Sequence, residues 1–460
     1  MKIINKSKNT ISLEELNITI PFLEDYSSQE ISDDLIKNSK QIRQLKLLKL
    51  IDVVEDNSLL CKNIKNLKPI EKIEKKIDIF SSVDNGNSIE VSIKGHFFEA
   101  GGYAKVNRNL AVGLNSLGVK VAINPVSTVN NLSEKEVLKI RNVQSKVSKN
   151  AITIDSIIPS FANVTSGKYK VLYTTVESCT VPDQFIECIK CYNEIWVPSD
   201  FCKEVLEKYD TGKKIFVIPN SFDKELYKED GEKQTFNPKL KSFVFGSVFG
   251  WSYRKGYQVL LRSFLEEFSN QDDVTLLLIS RFNGKENKIM NETIKEFIQK
   301  YKPKNNPNIS LYSNVIPEKD MPNIYRAMNC HVLFSLGEGF GLPVLESAAC
   351  GVPNIATNHS GYTMFLNNKN GIVVDPDKFS VLQEGKMHVH YWDGQVFPEL
   401  KSEDFIKKCR ISMRDMFNNN SKYVKKNKKL KKDIDKNYTI EAVSKLALKR
   451  LEEIKKENNL

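Results

Sequence analysis

The spacing of apolar and polar positions changes character near Glu90. From there on, short apolar runs alternate with stretches whose apolar residues recur every three or four positions, the mark of a parallel sheet crossed by helices. Strands are expected over 91–94, 119–123, 171–174, 194–197 and 214–218. Between them, one helix opens at Gly101-Gly102 with Val106, Leu110 and Leu114 on one face, and another covers 183–191. A third covers 200–209 behind a Ser199 cap. The polar, turn-prone stretch 230–239 reads as a hinge. A second series then places strands at 243–248, 274–279, 309–313, 332–336 and 354–357, and helices at 258–268, 291–300 and 320–328. The fold class expected is α/β, with two Rossmann-type parallel-sheet halves, 89–235 and 236–425, facing a cleft.

Outside those halves the pattern differs. Residues 1–88 form a small N-terminal extension, in which Ser12-Leu-Glu-Glu15 fits a capping box. Within it 32–53 fits a helix with Leu35, Leu45, Leu48 and Ile51 inward, and 62–76 is a lysine-rich connector. From Phe405 onward the chain reads as helical, with 426–460 a basic tail closing on an amphipathic helix over 440–454.

Candidate chemistry concentrates at 331–357, which reads as strand, glycine loop, helix and strand. Gly337, Gly339 and Gly341 make the loop, Pro343 suits the first turn of a helix, and Gly351 with Pro353 ends it. Glu338 lies in the loop and Glu346 on the helix. Free N–H groups at a helix start attract anions, and glycines let the backbone approach them closely. A diphosphate held there leaves Glu346 within reach of ribose hydroxyls and Glu338 within reach of a sugar. The alternative treats both glutamates as solvated charges favouring a helix N-terminus.

The string G-F-G-L-P-x-L-E-x-x-A-x-G-x-P resembles the E-x7-E signature of family 4 retaining glycosyltransferases, whose layout is called GT-B. The resemblance extends over about 90–450 of the chain. It implies transfer of a sugar from a nucleotide-sugar donor, a UDP- or GDP-sugar first, with retention at the anomeric carbon and without a metal or other cofactor. It implies that Glu338 holds sugar hydroxyls, and that Glu346 holds the ribose alongside Gly339, Phe340, Gly341 and Leu342. Arg254 and Lys255, in Ser252-Tyr-Arg-Lys-Gly256, resemble the family's phosphate-gripping pair, although Gly246-Ser247-Val248 stands where the usual pattern has G-R-L. Gly101 and Gly102 resemble the loop that approaches the donor from across the cleft, and Val315 and Ile316 the segment that reads the base. Glu177 stands where many members carry a histidine near the reacting sugar.

Composition narrows the setting. At 460 residues, with 40% hydrophobic and 27% charged residues, the chain is an ordinary globular sequence long enough for two or three domains. No apolar run approaches the ~18 residues of a membrane span. The start Met1-Lys-Ile-Ile-Asn-Lys6 lacks a signal-peptide core, so a cytoplasmic site is expected. Of the formal net charge of +11, 401–460 supplies most, with 18 Lys and Arg against 9 Asp and Glu. A solvated lysine face comes first, then peripheral contact with an anionic membrane inner face; nucleic acid is not expected. The acceptor stays open between a glycan, a lipid-linked glycan and a protein.

Cysteine spacing suggests reduced thiols, with Cys188-Ile-Lys-Cys191 a weak zinc signal, and no metal site is expected. His388 and His390 share one side of any strand, with nothing to join them. Asp375-Pro-Asp377 reads as a loop. Three readings compete with transfer. A GT-B epimerase would turn over donor alone, and a phosphorylase would carry a pyridoxal lysine. A non-catalytic basic module would bind polyanions in a salt-sensitive way.

Overall fold

The computed structural model describes residues 89–459, apart from 128, 160–163, 166, 282–284, 303, 315 and 383–393, together with five short strands between residues 2 and 54. Val315, His388, His390 and the connector 62–76 therefore lie outside the described residues. The chain divides into two compact units, Met1–Ile77 and Asp78–Leu460.

In the first unit β1 (Lys2–Asn5) pairs antiparallel with β4 (Ser28–Glu30) and with β5 (Ile51–Val54). A second antiparallel pair joins β2 (Ile11–Leu13) to β3 (Ile18–Ile20). Two expectations are corrected here. Ser12 belongs to a strand rather than capping a helix, because Ile11, Leu13, Ile18 and Ile20 alternate with a period of two. Residues 51–53, expected as the end of a helix, belong to the strand Ile51–Val54; the remainder of 32–53 lies outside the described residues.

The second unit contains two six-stranded sheets, parallel throughout. Its N half uses β6 (Glu90–Gly95), β7 (Lys120–Pro125), β8 (Ile152–Ser156), β9 (Lys170–Tyr173), β10 (Glu194–Val197) and β11 (Lys214–Val217), in the order β11-β10-β9-β8-β6-β7. The C half uses β12 (Phe243–Gly250), β13 (Val274–Arg281), β14 (Asn308–Tyr312), β15 (Cys330–Leu333), β16 (Asn354–Thr357) and β17 (Ile372–Val374), in the order β14-β13-β12-β15-β16-β17. Their near-continuous apolar composition suits strands covered on both faces: Leu276, Leu277 and Leu278 are completely buried, as are Val91 and Ile93.

In the C half the strand order reverses between β12 and β15, which pair through Phe245 and Cys330. The loops leaving these two strands therefore diverge and open a crevice at the sheet's C-terminal edge. They carry Arg254-Lys255 and Gly337 to Gly341, so the topology itself brings together motifs distant in sequence.

The basic C-terminal segment is helical and packed. The helix Asn420–Asn437 buries Tyr423, Leu430 and Ile434 in the C-half core, and Asn427 Nδ2 donates to the Ala348 carbonyl at 3.1 Å. The next helix, Ile440–Asn458, returns to the N half, where Val443, Ala447, Leu451 and Ile454 join its core. There Arg450 meets the fully buried Glu194 at 2.8 Å, while Trp196 and Tyr169 donate to the same carboxylate. The two segments that pass between the halves are joined: Phe222 N–H donates to the Tyr438 carbonyl at 3.0 Å, and Ile440 N–H to the Phe222 carbonyl at 3.1 Å. No helix among the described residues is long and apolar enough to cross a membrane.

Candidate functional site

Two ionic clusters lie between the halves, each built from both. The first gathers around Glu338. After β12 the chain makes a 3-10 turn over Tyr253–Lys255, and Gly256 then adopts φ 66° against the Phe334 carbonyl, where a side chain would collide. That close approach sets two cations beside the loop after β15. Lys255 Nζ lies 2.5 Å and Arg254 Nη1 3.3 Å from Glu338 Oε1, which also accepts from Ser335 Oγ at 3.0 Å. Arg254 Nη1 donates to the Gly337 carbonyl as well, and Nη2 reaches Glu177 of the N half at 2.9 Å.

Glu338 is also gripped by its backbone. Its N–H donates to Ser360 Oγ at 3.0 Å and its carbonyl accepts from Gly361 N–H at 2.9 Å. Ser360 holds φ 73°, a left-handed conformation costly for any residue but glycine, and both contacts hold it there. Across the cleft, Gly337 and Gly339 stand so close to Glu177 and Thr175 that a Cβ at either would strike the N half. Ser199 Oγ donates to the Gly339 carbonyl at 2.7 Å.

This setting separates the two carboxyl groups. Burial raises Glu177 above the ordinary carboxylate range, against Arg254 and Lys255 and with the like charge of Glu338 adding to it. Burial works on Glu338 in the same direction, but Lys255 and then Arg254 outweigh it and hold Glu338 low. Burial, reinforced by Arg254, keeps Lys255 below the usual lysine range despite both glutamates.

The second cluster gathers around Glu346. Lys105, in the first turn of the helix Gly102–Ser116, lies 2.5 Å from Glu346 Oε1 and 3.2 Å from Glu318 Oε1. Tyr325 OH donates to Glu346 Oε2 at 2.9 Å. Arg108, one turn beyond Lys105, meets Glu318 at 2.7 Å and donates to the Phe97 and Glu99 carbonyls at 2.9 Å each. Both glutamates of the E-x7-E pair are thus buried and paired rather than solvated, since Glu338 is 5% and Glu346 6% exposed.

The structure brings Glu177, Arg254, Lys255 and Glu338 into one cluster, with Gly339 at its edge. Gly341 caps the helix Leu342–Ala349 at φ 89°. Leu342 lies against both cores and close to Gly102, while Gly101 is exposed. Ile316 is buried two residues before Glu318. Phe340 is not part of either cluster, because its ring is buried against Phe365 and Tyr438. Sequence reasoning missed Lys105, Arg108 and Glu318. Their one local signal is two cations three residues apart in a helix otherwise buried.

Asp375 and Asp377 make loop contacts, with Asn358 Nδ2 at 2.5 Å and Lys408 Nζ at 2.5 Å. Among the described residues, no three His, Cys, Asp or Glu side chains gather as metal ligands.

Beneath the site, His331 is fully buried, with Nδ1 2.9 Å from Asn354 Oδ1 and Val248 N–H pointing at Nε2 from 3.4 Å. Burial pushes its pKa down to about 4, and burial does the same to His359. Below about pH 6.5 the unfolded chain takes up protons that these folded histidines refuse, so stability falls as pH drops from about 6.5 to about 4. His331 alone is worth up to about 3 kcal/mol over that window. Urea midpoints should therefore decline between about pH 7 and pH 5; an unchanged midpoint would contradict the burial of these rings.

Two parallel-sheet Rossmann-like halves enclosing a cleft are the GT-B fold of glycosyltransferases. Sucrose-phosphate synthase from Thermosynechococcus elongatus superposes with a TM-score of 0.59 at 12% identity, over 80% of this chain and 99% of that one. Anabaena HepE, solved with UDP and glucose, gives 0.56 at 11% identity, over 79% of this chain and all of that one.

Within that fold, residues 241–384 match the family model described as Glycosyl transferases group 1. Curated relatives align over shorter stretches. O-antigen chain mannosyltransferase B of Escherichia coli is 38% identical over 66 residues, 14% of this chain and 17% of that protein. Mannosylfructose-phosphate synthase of Agrobacterium fabrum is 25% identical over 180 residues, 37% of this chain and 39% of that protein. The chain thus spans less than half the length of either relative.

Proposed function

We propose that this protein is a retaining, metal-independent glycosyltransferase of family 4 type, moving a sugar from a UDP- or GDP-sugar to a glycan, lipid-linked or protein acceptor. The observation that carries the reading is the convergence of Arg254, Lys255 and Glu338 at the C-half switch point, next to the helix that begins at Leu342. A departing nucleoside diphosphate needs its growing charge neutralised, and two adjacent cations supply that where a metal would otherwise be required. Glu338 then holds sugar hydroxyls and Glu346 the ribose.

In the reaction the bond from the anomeric carbon to the diphosphate oxygen breaks, and the acceptor oxygen bonds to that carbon on the same face. The acceptor's proton passes to the departing phosphate. Glu177, reaching in from the N half, faces the reacting sugar. The mannosyltransferase and synthase activities named for the relatives support the same class. Exposed Lys425, Lys428, Lys429, Lys432 and Lys436 on the helix Asn420–Asn437 suit a peripheral contact with an anionic membrane surface.

A thermal-shift panel of UDP, GDP, CMP, dTDP and ADP with their sugar conjugates tests this. One nucleotide series should raise the melting point, by about 2.7 kcal/mol of added stability at a hundredfold excess over Kd. Glu346→Ala should remove most of that shift. A flat panel, with nucleic acid or anionic vesicles shifting the melt instead, would overturn catalysis in favour of a binding module.

A further inference from the structure

We infer that Lys105 is a positioning residue for nucleotide recognition: it fixes Glu346 as the acceptor of the ribose hydroxyls and so sets a preference for ribonucleotides over 2′-deoxyribonucleotides. The inference rests on the reading of Glu346 as the ribose-binding carboxylate. Glu346 is clamped from both sides. Lys105 of the N half takes Oε1 at 2.5 Å, and Tyr325 of the C half takes Oε2 at 2.9 Å. An ionised carboxylate offers about four lone-pair sites, so each oxygen keeps one for a ligand. With its plane fixed at both ends, the group presents two parallel acceptors, the match for two vicinal O–H donors.

Lys105 is itself held in place. Its Nζ donates to Tyr227 OH at 2.6 Å, lies 4.2 Å from that ring's centre, and contacts Glu318 at 3.2 Å. Arg108 anchors Glu318 in turn, so two cations and two carboxylates form a balanced, largely buried quartet. Loss of the Lys105 ammonium leaves Arg108 paired with Glu318 and removes the cation that meets Glu346 Oε1, so that carboxylate keeps only Tyr325, at its other oxygen. Held at one end only, the carboxyl plane can turn, and its two oxygens no longer meet a vicinal diol together. A site built to accept from a hydroxyl discriminates against the analogue lacking it only while the acceptor stays oriented.

A purely structural tie would weaken all nucleotides in proportion, whereas a positioning role changes their ratio. The test is calorimetric binding of UDP against 2′-deoxy-UDP, and of GDP against 2′-deoxy-GDP, to the full chain, with melting curves to verify folding. The wild type should prefer the ribonucleotide of its own base by about tenfold or more, the worth of a hydrogen bond to a charged group. Lys105→Met should compress that preference to about threefold or less, and Lys105→Arg should restore part of it. Should Lys105→Met melt early, Lys105→Gln keeps similar length without the charge and should give the same compression.

Proportional weakening of both members of a pair, with the ratio intact, would overturn the inference. Glu346→Gln separates it from the reading beneath it. If Glu346→Gln abolishes the preference while the neutral Lys105 variants keep it, only the role of Lys105 falls. If Glu346→Gln keeps the wild-type ratio, or the wild type binds none of the four nucleotides, the ribose reading falls and the inference with it.

Discussion

Replacing Lys255 by methionine should slow sugar transfer by about a hundred- to a thousandfold, with donor affinity changed only a few-fold. The ammonium is 2.5 Å from Glu338 and beside Arg254, at the edge where the crevice opens between β12 and β15. Before reaction, Glu338 and Glu177 already offset both cations, so a bound donor gains little from Lys255. As the bond to the sugar breaks, negative charge grows on the diphosphate, and a cation already positioned stabilises that charge without reorganisation. The loss should therefore appear in kcat. Burial and Arg254 keep Lys255 in a state that sheds its proton more readily than an ordinary lysine, so the wild-type rate should also fall as pH rises toward the lysine range. Initial rates with the donor identified by thermal shift decide the matter. A kcat within about threefold of wild type would remove Lys255 from the reaction.

Glu338→Gln should be the most destabilising single change in the cleft, at about 3–5 kcal/mol. The side chain is almost wholly buried and accepts from Lys255, Arg254 and Ser335, so an amide there removes the charge that both cations face. Arg254 keeps Glu177 in direct contact, whereas Lys255 loses its direct carboxylate contact and keeps only the more distant attraction of Glu177. A lysine in that position can escape by losing its proton, so the deficit should shrink at higher pH. The double variant Glu338→Gln/Lys255→Met separates stability from function. It removes both charges and should recover most of the lost stability, because an absent buried pair costs far less than half of one. It should remain inactive. Denaturant melts of the two single variants and the double variant measure this; a double variant as unstable as Glu338→Gln would refute the assignment of the cost to the orphaned cation.

The two halves of the cleft were unequally legible in the sequence. The unit at 331–357 could be read because its determinants are local: an apolar strand, glycines, a proline at a helix start, and a glycine at its end. The sequence also put Arg254 and Lys255 at the end of the second half's first strand, but strand alternation does not give strand order, and it is the pairing of β12 with β15 that brings them to the glycine loop. What the glutamates touch was not readable. Lys105 and Glu346 are 241 residues apart in sequence, and no spacing rule pairs them. The resemblance groups Phe340 with donor contacts; that its ring packs against Phe365 and Tyr438 is a long-range placement that no local pattern gives. In the N-terminal unit, Ser12 and Glu15 matched a capping string, but the alternating branched residues around them favour a paired strand. Local polar motifs are weaker evidence than the period of the apolar positions beneath them.

The backbone bonds joining Phe222 to Tyr438 and Ile440 bear on how the molecule can move. Two strips of chain fastened side by side have the build of a door hinge. A swing about that seam is the relative movement that would keep both bonds. Both ionic clusters span the gap, so one swing parts them together. A change that loosens either cluster should therefore register at the other.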